Sequence, residues 1–352
     1  MIRVKPELFA MLESGDKAAV VIALQQAIKL EHSTIPPYLY ALYSLAPGKN
    51  DEIAEIIQSV VIEEMLHMTL ASNILNALGG EPQIDVPGFV PQYPGPLPGS
   101  IDSGLIVSLA PFSIDLVNDV FMQIEEPEHP LDFPVGFAAA DIEEYKTIGQ
   151  FYNSIKEKII ALGDGAFYST PRNQIGPDQM DESVVVTNVA TAVQAINTIV
   201  EQGEGTALSP MEEVGGDYAH YYRFAEIYHG KRLIPNPDAG PDTRPDDRYL
   251  YAGPPLSFDQ SGVYAVPTNP KAATYPAGSA ARYACDNFNY TYTSLLKSLH
   301  ATFNGQPAQL DVAIGLMMSL KQQAKDMMSG TNTGGASTGP SFEYQPVNPL
   351  PR

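Results

Sequence analysis

The run Val60-Val61-Ile62-Glu63-Glu64-Met65-Leu66-His67-Met68 constrains the fold more than any other part of the chain. Steps of three and four place Ile53, Ile57, Val60, Glu64, His67, Ala71, Ile74 and Leu78 on one helical stripe. A carboxylate and an imidazole therefore share an apolar face. Upstream, Glu31 falls between Leu24, Ile28 and Ile35 on the apolar face of another helical stretch. An ionised carboxylate in a core costs several kcal/mol unless something compensates it. Two acids and a histidine on faces that must be buried predict helices packed around a cation.

The pattern along the chain predicts an all-α fold. Residues 16–46 read as a helix with a kink at Pro36-Pro37, where two backbone donors are missing and the carbonyls of His32 and Ser33 are left free. Asn50 is the expected N-cap of a helix over 51–78, which Gly79-Gly80 ends. Residues 81–111 are rich in proline and glycine and form a long crossover, with a short strand expected at 105–109. Further helices are expected at 113–125, 141–162, 188–202, 218–229, 281–303 and 308–328. A helix pair, a long connection and a second pair is the ferritin-like bundle arrangement. The expected organisation is a metal-binding bundle over 1–230 and an irregular excursion over 231–280. Residues 281–328 add helices to the same domain, and 329–352 form an irregular tail.

Composition narrows the function. A net charge of −21 argues against nucleic acid and against anionic membranes. No apolar stretch reaches the ~20 residues of a membrane span, and Met1–Glu7 has no secretory apolar core. Cys285 is the only cysteine, which excludes an internal disulfide and a thiolate zinc cluster. The expected location is the cytoplasm.

Matching ligands are expected from the second half. Glu201 and Glu204 end an apolar helix, where the helix dipole disfavours acids unless they have a task. His220 opens an aromatic cluster, His220-Tyr221-Tyr222-Arg223-Phe224. Glu226 and His229 rank lower, because Gly230-Lys231-Arg232 signals a solvent-facing end. His32 points away from Glu31, and Glu63, about 100 degrees round the helix from Glu64, is a rim group.

Taken together, these stretches resemble a known family. Leu30-Glu31 with Thr34–Ala41, Glu63-Glu64-Met65-Leu66-His67 with Asn73–Gly80, Thr147–Tyr152, Glu201–Gly205, His220–Phe224 and Gly339–Tyr344 are similar to the ferritin-like proteins related to VioB, the iminophenyl-pyruvate dimer synthase family. The resemblance runs from about residue 30 to 345. It implies a ferritin-like bundle with Glu31, Glu64, His67, Glu201 or Glu204, and His220 as metal ligands. A third-helix glutamate is expected in such a site, yet Gln150 holds the most suggestive position, so Glu125 or Glu157 is the alternative.

The implied cofactor is iron, as two ions, with manganese or a mixed Mn/Fe pair as alternatives. The expected activity is a di-iron oxidase or oxygenase acting on a small aromatic amino-acid-derived metabolite of natural-product biosynthesis. A dimer-synthase-like imine coupling with a Lewis-acid metal, or a non-catalytic metal-binding protein, are the other readings. Glu63, Tyr38 and Tyr152 are the expected catalytic groups: Glu63 or Tyr38 to move protons, Tyr152 among rings lining an aromatic pocket. The expected partners are a small-molecule substrate and dioxygen, with no nucleic acid and no membrane. A homodimer is the assembly considered.

Overall fold

The computed structural model describes residues 4–100, 105–127, 130–131, 147–206, 209–211 and 216–346. Two long helices dominate it. Helix α2, Lys17–Tyr43, is capped by the Asp16 carboxylate, which accepts from the Ala18 N–H, and α3 spans Asp51–Ala77. A short α1, Pro6–Ser14, precedes them. The pair α2–α3 packs against a second pair, α6 (Ile148–Leu162) and α7 (Val189–Glu204), with α3 on α7 and α2 on α6. Four apolar faces thus close on one core that holds Leu24, Ile28, Val60, Ala71, Phe151, Ile155, Ala195 and Ile199. The mostly helical ferritin-like expectation stands.

Helix α2 runs unbroken through Pro36 and Pro37. Proline inside a helix strands a carbonyl one turn back, and the buried Tyr93 hydroxyl donates to the freed Ser33 carbonyl at 2.6 Å. The crossover thereby replaces the hydrogen bond that Pro37 removes. Asn50 stands at the N-cap position of α3 without capping it. Its amide instead clamps the excursion, donating to the Asp259 carbonyl at 3.1 Å and accepting from the Asp259 N–H at 2.8 Å. Gly79, at φ +88°, supplies the left-handed turn that ends α3.

Between the two pairs, residues 114–124 form one helical stretch in three pieces: α4 (Ile114–Leu116), a π-helical turn (Val117–Phe121) and α5 (Met122–Ile124). The short α8, His220–His229, packs against the π turn, α3 and α7. Val107 pairs with Gly95 in an isolated bridge where a strand was expected. Residues 231–280 contain a two-residue antiparallel ladder, β1 (Ile234–Pro235) with β2 (Tyr249–Leu250), and short 3-10 turns. Helices α9 (Ala280–Phe303) and α10 (Gln309–Met328) form a packed hairpin on the outside of α2 and α3. Helix α6 begins at Ile148; the expected start at residue 141 lies outside the described residues. Among the described residues no helix is long and apolar enough to cross a membrane.

Candidate metal centre

Helical register on α2 and α3 brings Glu31, Glu64 and His67 together, each at most 5% exposed. Their ligand atoms lie within 4.8 Å of one another. A second group with the same spread joins Glu64 to Glu125, just past α5, and to His220, the first residue of α8. All five side chains are buried, and Glu64 belongs to both groups. A carboxylate shared between two acid–imidazole sets has the connectivity of a bridging ligand.

The surroundings orient each donor. The Tyr152 hydroxyl donates to Glu31 Oε1 at 2.5 Å, and the Tyr38 hydroxyl donates to Glu125 Oε1. Thr34 Oγ1 lies 2.8 Å from the Glu31 carbonyl and 2.9 Å from Glu64 Oε2. Having one proton, that hydroxyl satisfies both oxygens only when Glu64 carries a proton of its own. His67 directs Nδ1 at Glu31, 3.7 Å from Oε2, while its Nε2 is 3.0 Å from Gln202 Oε1. His220 directs Nδ1 between Glu64 Oε1 at 3.0 Å and Glu125 Oε2 at 3.5 Å. Its Nε2 is 3.1 Å from Glu63 Oε2, and Glu63 is paired in turn with Arg223. The two imidazoles stack with centroids 5.3 Å apart.

One atom is placed as a metal donor would be. His220 Nδ1 is fully buried and close to two carboxylates, yet neither stands in line for a hydrogen bond. Buried polar atoms are nearly always satisfied. An imidazole nitrogen aimed at a gap between carboxylate oxygens is placed to donate to a cation there. The donor set, carboxylates with two imidazoles, suits iron, manganese or zinc and does not choose among them.

The electrostatics carry the same message. Burial, with the charges of Glu125 and Glu31 beside it, pushes the Glu64 carboxyl up to about 8. Burial also acts upward on Glu31, but the neighbouring His67 imidazole and the hydrogen bond from Tyr152 outweigh it and hold that carboxyl below its usual range. Burial pulls both imidazoles down; Glu31 overrides it at His67, and Glu125, Glu63 and Glu64 override it at His220, so both end above the ordinary value. At Glu63, hydrogen bonds from His220 and Arg223 overcome burial and bring the carboxyl down to about 2. Burial and the adjacent carboxylates drive both phenols, Tyr38 and Tyr152, well above 10, so each remains a hydrogen-bond donor at neutral pH. Without a cation, Glu64 holds a proton, while Glu31 and Glu125 each lie between a phenol and an imidazole.

Of the other expected ligands, Glu201 lies outside both groups. Glu204 lines the cavity beside the centre, but its Oε1 accepts from the Gly149 N–H at 2.8 Å and so serves the first turn of α6. A Cβ at position 149 would come within 2.3 Å of that carboxylate, so any larger residue there must displace the Glu204 side chain. Gln150 completes a capping box with Thr147, and Glu157 is exposed on α6. Glu125 is the alternative that reaches the centre. Glu63 and Tyr38 sit behind ligands and do not line the cavity, whereas Tyr152 does. His32 is turned away to Tyr292, 2.9 Å distant. Glu226 is buried with Arg232 at 2.9 Å, and neither it nor His229 joins the centre.

Gln202 and Thr34 were missed as groups around the site. Gln202 carried a signal, lying one helical turn from Ile199 on the apolar face of α7. The cavity has a volume of about 30 Å³ and is lined by Glu31, Glu64, His67, Glu125, Tyr152 and Glu204 among others. That is room for one or two water-sized species and far less than the ~300 Å³ of an ordinary ligand pocket.

Comparison with known proteins agrees with this fold. A model of the Ferritin-like family matches residues 24–229, more than half of the chain and all of both ligand groups. The chain belongs to the ferritin-like family. This ferritin-like protein is similar to dichlorochromopyrrolate synthase from Lentzea aerocolonigenes, with 25% identity over 92% of the chain. The match spans only 36% of that enzyme's length. A crystal structure of a ferritin like protein from Caulobacter vibrioides superposes with a TM-score of 0.56 at 24% identity. It covers 93% of this chain and 97% of that one, and shows the fold alone.

Proposed function

We propose that this ferritin-like protein is a metalloenzyme whose Glu31, Glu64, His67, Glu125 and His220 hold two cations, and that it acts on a small imine- or enamine-type metabolite in a dimer-synthase-like coupling. The observation that carries the metal reading is His220 Nδ1, buried, without a hydrogen bond and directed between two carboxylates. The distant similarity to dichlorochromopyrrolate synthase supports the class of chemistry.

In such a coupling the enamine carbon of one unit adds to the imine carbon of another. One C–C bond forms, the imine π electrons move to nitrogen, and a proton passes from the nucleophile to that nitrogen. No net oxidant is required. The bound cations would supply Lewis acidity, polarising an imine or carboxylate of the substrate. The chain's own groups do the rest. Tyr152 and Tyr38 hold the terminal carboxylates Glu31 and Glu125 in place as donors. Glu204 faces the cavity from the first turn of α6 and is the carboxylate positioned to accept a proton there. The cavity itself takes only water-sized species, so the reacting units would meet the centre at its open side.

Incubation of metal-loaded and metal-free protein with 2-imino acids, generated in situ from aromatic amino acids, tests the reading. The expected result is a product of doubled mass that depends on metal and consumes no extra dioxygen. Protein that binds no metal, or product formation independent of it, would overturn the proposal. A dioxygen-consuming oxidase is the second reading, favoured by the carboxylate-rich donor set, whose hard oxygen ligands stabilise oxidised metal. Substrate-dependent oxygen uptake would select it.

A further inference from the structure

The two halves of the centre match in their ligands and differ in what stands behind their imidazoles. His220 Nε2 faces a carboxylate, Glu63, at 3.1 Å. Glu63 is held in turn by the Arg223 guanidinium, with 2.8 Å from Nη1 to Oε1, and that guanidinium also donates to Ser59 Oγ at 3.0 Å. His67 Nε2 instead faces the neutral amide of Gln202 at 3.0 Å. The amide cannot flip without loss, because Gln202 Nε2 donates to Glu182 at 2.7 Å. The oxygen of Gln202 therefore accepts from His67 Nε2–H and leaves Nδ1 as the lone-pair donor.

Both arrangements select the same tautomer, but only one places formal negative charge against the ring. A carboxylate behind a ligating histidine raises its basicity, and losing such a partner costs ten- to a hundred-fold in metal affinity. The open side differs as well: Glu31, Glu64 and His67 all line the cavity, whereas of the other pair Glu125 does and His220 does not.

We infer that the two metal positions are unequal: the Glu125–His220 position binds a divalent cation first and tightly, and the Glu31–His67 position is the weaker, exchangeable one that faces the substrate. Glu63 and Gln202 are the positioning residues that set the difference. This inference rests on the two-cation reading above.

The test is titration of the metal-free protein with Mn(II), followed by calorimetry and by an anomalous-scattering map of crystals grown with one equivalent. Two binding steps are expected, with the first ion between Glu125 and His220. Glu63→Gln keeps an oxygen acceptor for His220 and should weaken only the tighter step, by ten- to a hundred-fold. The paired exchange Gln202→Glu with Glu182→Gln moves the charge behind His67 and should tighten only the weaker step, by about ten-fold.

A first equivalent found at the Glu31–His67 position, or divided evenly, would overturn the inequality while leaving the two-cation reading intact. Unchanged constants in both variants would do the same. No Mn(II) uptake at either position would overturn the cation reading itself. The map uses the unaltered protein, so a poorly folding variant does not remove the test.

Discussion

The Glu31–His67 half of the centre rests on two long helices, and the Glu125–His220 half rests on the ends of short ones. Glu31 lies in the middle of α2, and Glu64 and His67 in the second half of α3, where the backbone is continuous for several turns on either side. Glu125 follows a helical stretch interrupted by a π turn, and His220 begins a ten-residue helix. Donors inside a long helix take their direction from its register, whereas donors at helix ends must be held by neighbours. The supports follow that rule. Glu63 and Arg223 brace His220, Tyr38 braces Glu125, and the π turn packs on α8. A π turn widens a helix by one residue and is commonest at functional sites. Tyr152 and Gln202 brace Glu31 and His67 in turn, so the halves differ in the charge of Glu63 and in the π turn more than in the number of supports.

The shared ligand gives the strongest test, because losing it erases the comparison. Glu64→Gln should abolish both binding steps. The metal-free fold should change little, since the carboxyl it replaces is already protonated at neutral pH. Thermal melts with and without Mn(II) check this; the stabilisation by metal, about 2.7 kcal/mol per site at a hundred-fold excess over Kd, should vanish.

Inserting one alanine after Gln123, past the π turn, adds a residue that no widened turn absorbs and should rotate Glu125 by about 100 degrees relative to α4. One ion should be lost and the Glu31–His67 position kept, as metal analysis of purified protein would show. Loss of both ions would mean that the halves are not separable.

Acidity sharpens the contrast between metal-free and loaded protein. The Glu64 carboxyl sits at about 8 against an ordinary value of 4.5, so the metal-free folded state holds a proton that the unfolded chain has released. The contribution of this group to stability is therefore full below about 4.5, declines as pH rises, and is lost through about 8. Metal uptake has the opposite sign, since the cation must displace that proton. Affinity should fall about ten-fold per pH unit below 8 for each proton released. Calorimetry at pH 6 and pH 8 checks this; an affinity no weaker at pH 6 would mean that neither Glu64 nor the two imidazoles are ligands.

Smaller effects belong to residues outside the centre. Gln150→Ala removes one arm of the α6 capping box and should cost about 1 kcal/mol with metal content unchanged. Glu157→Ala, on the exposed face of α6, should stay within about 0.5 kcal/mol. A metal deficit in either variant would return the third helix to the ligand set.

Particular residues show how far the chain could be read before its fold was known. Glu31, Glu64 and His67 were legible because helical periodicity alone puts them on core faces. His220 was legible less directly, through its aromatic neighbours. Glu125 stood only among alternatives, because it follows a π turn and no regular period points to it. Glu201 and Glu204 satisfied the same ending-helix pattern as a ligand would, yet one lies outside both groups and the other accepts from a backbone N–H.

By itself the sequence determined the all-helical bundle and one half of the centre, since both follow from local spacing on single helices. Only the tertiary structure decided the other half and the pairing of Glu63 with His220 and of Gln202 with His67. Those contacts join residues more than a hundred positions apart. Their existence depends on which helix ends the packed core brings together, and no local period records that.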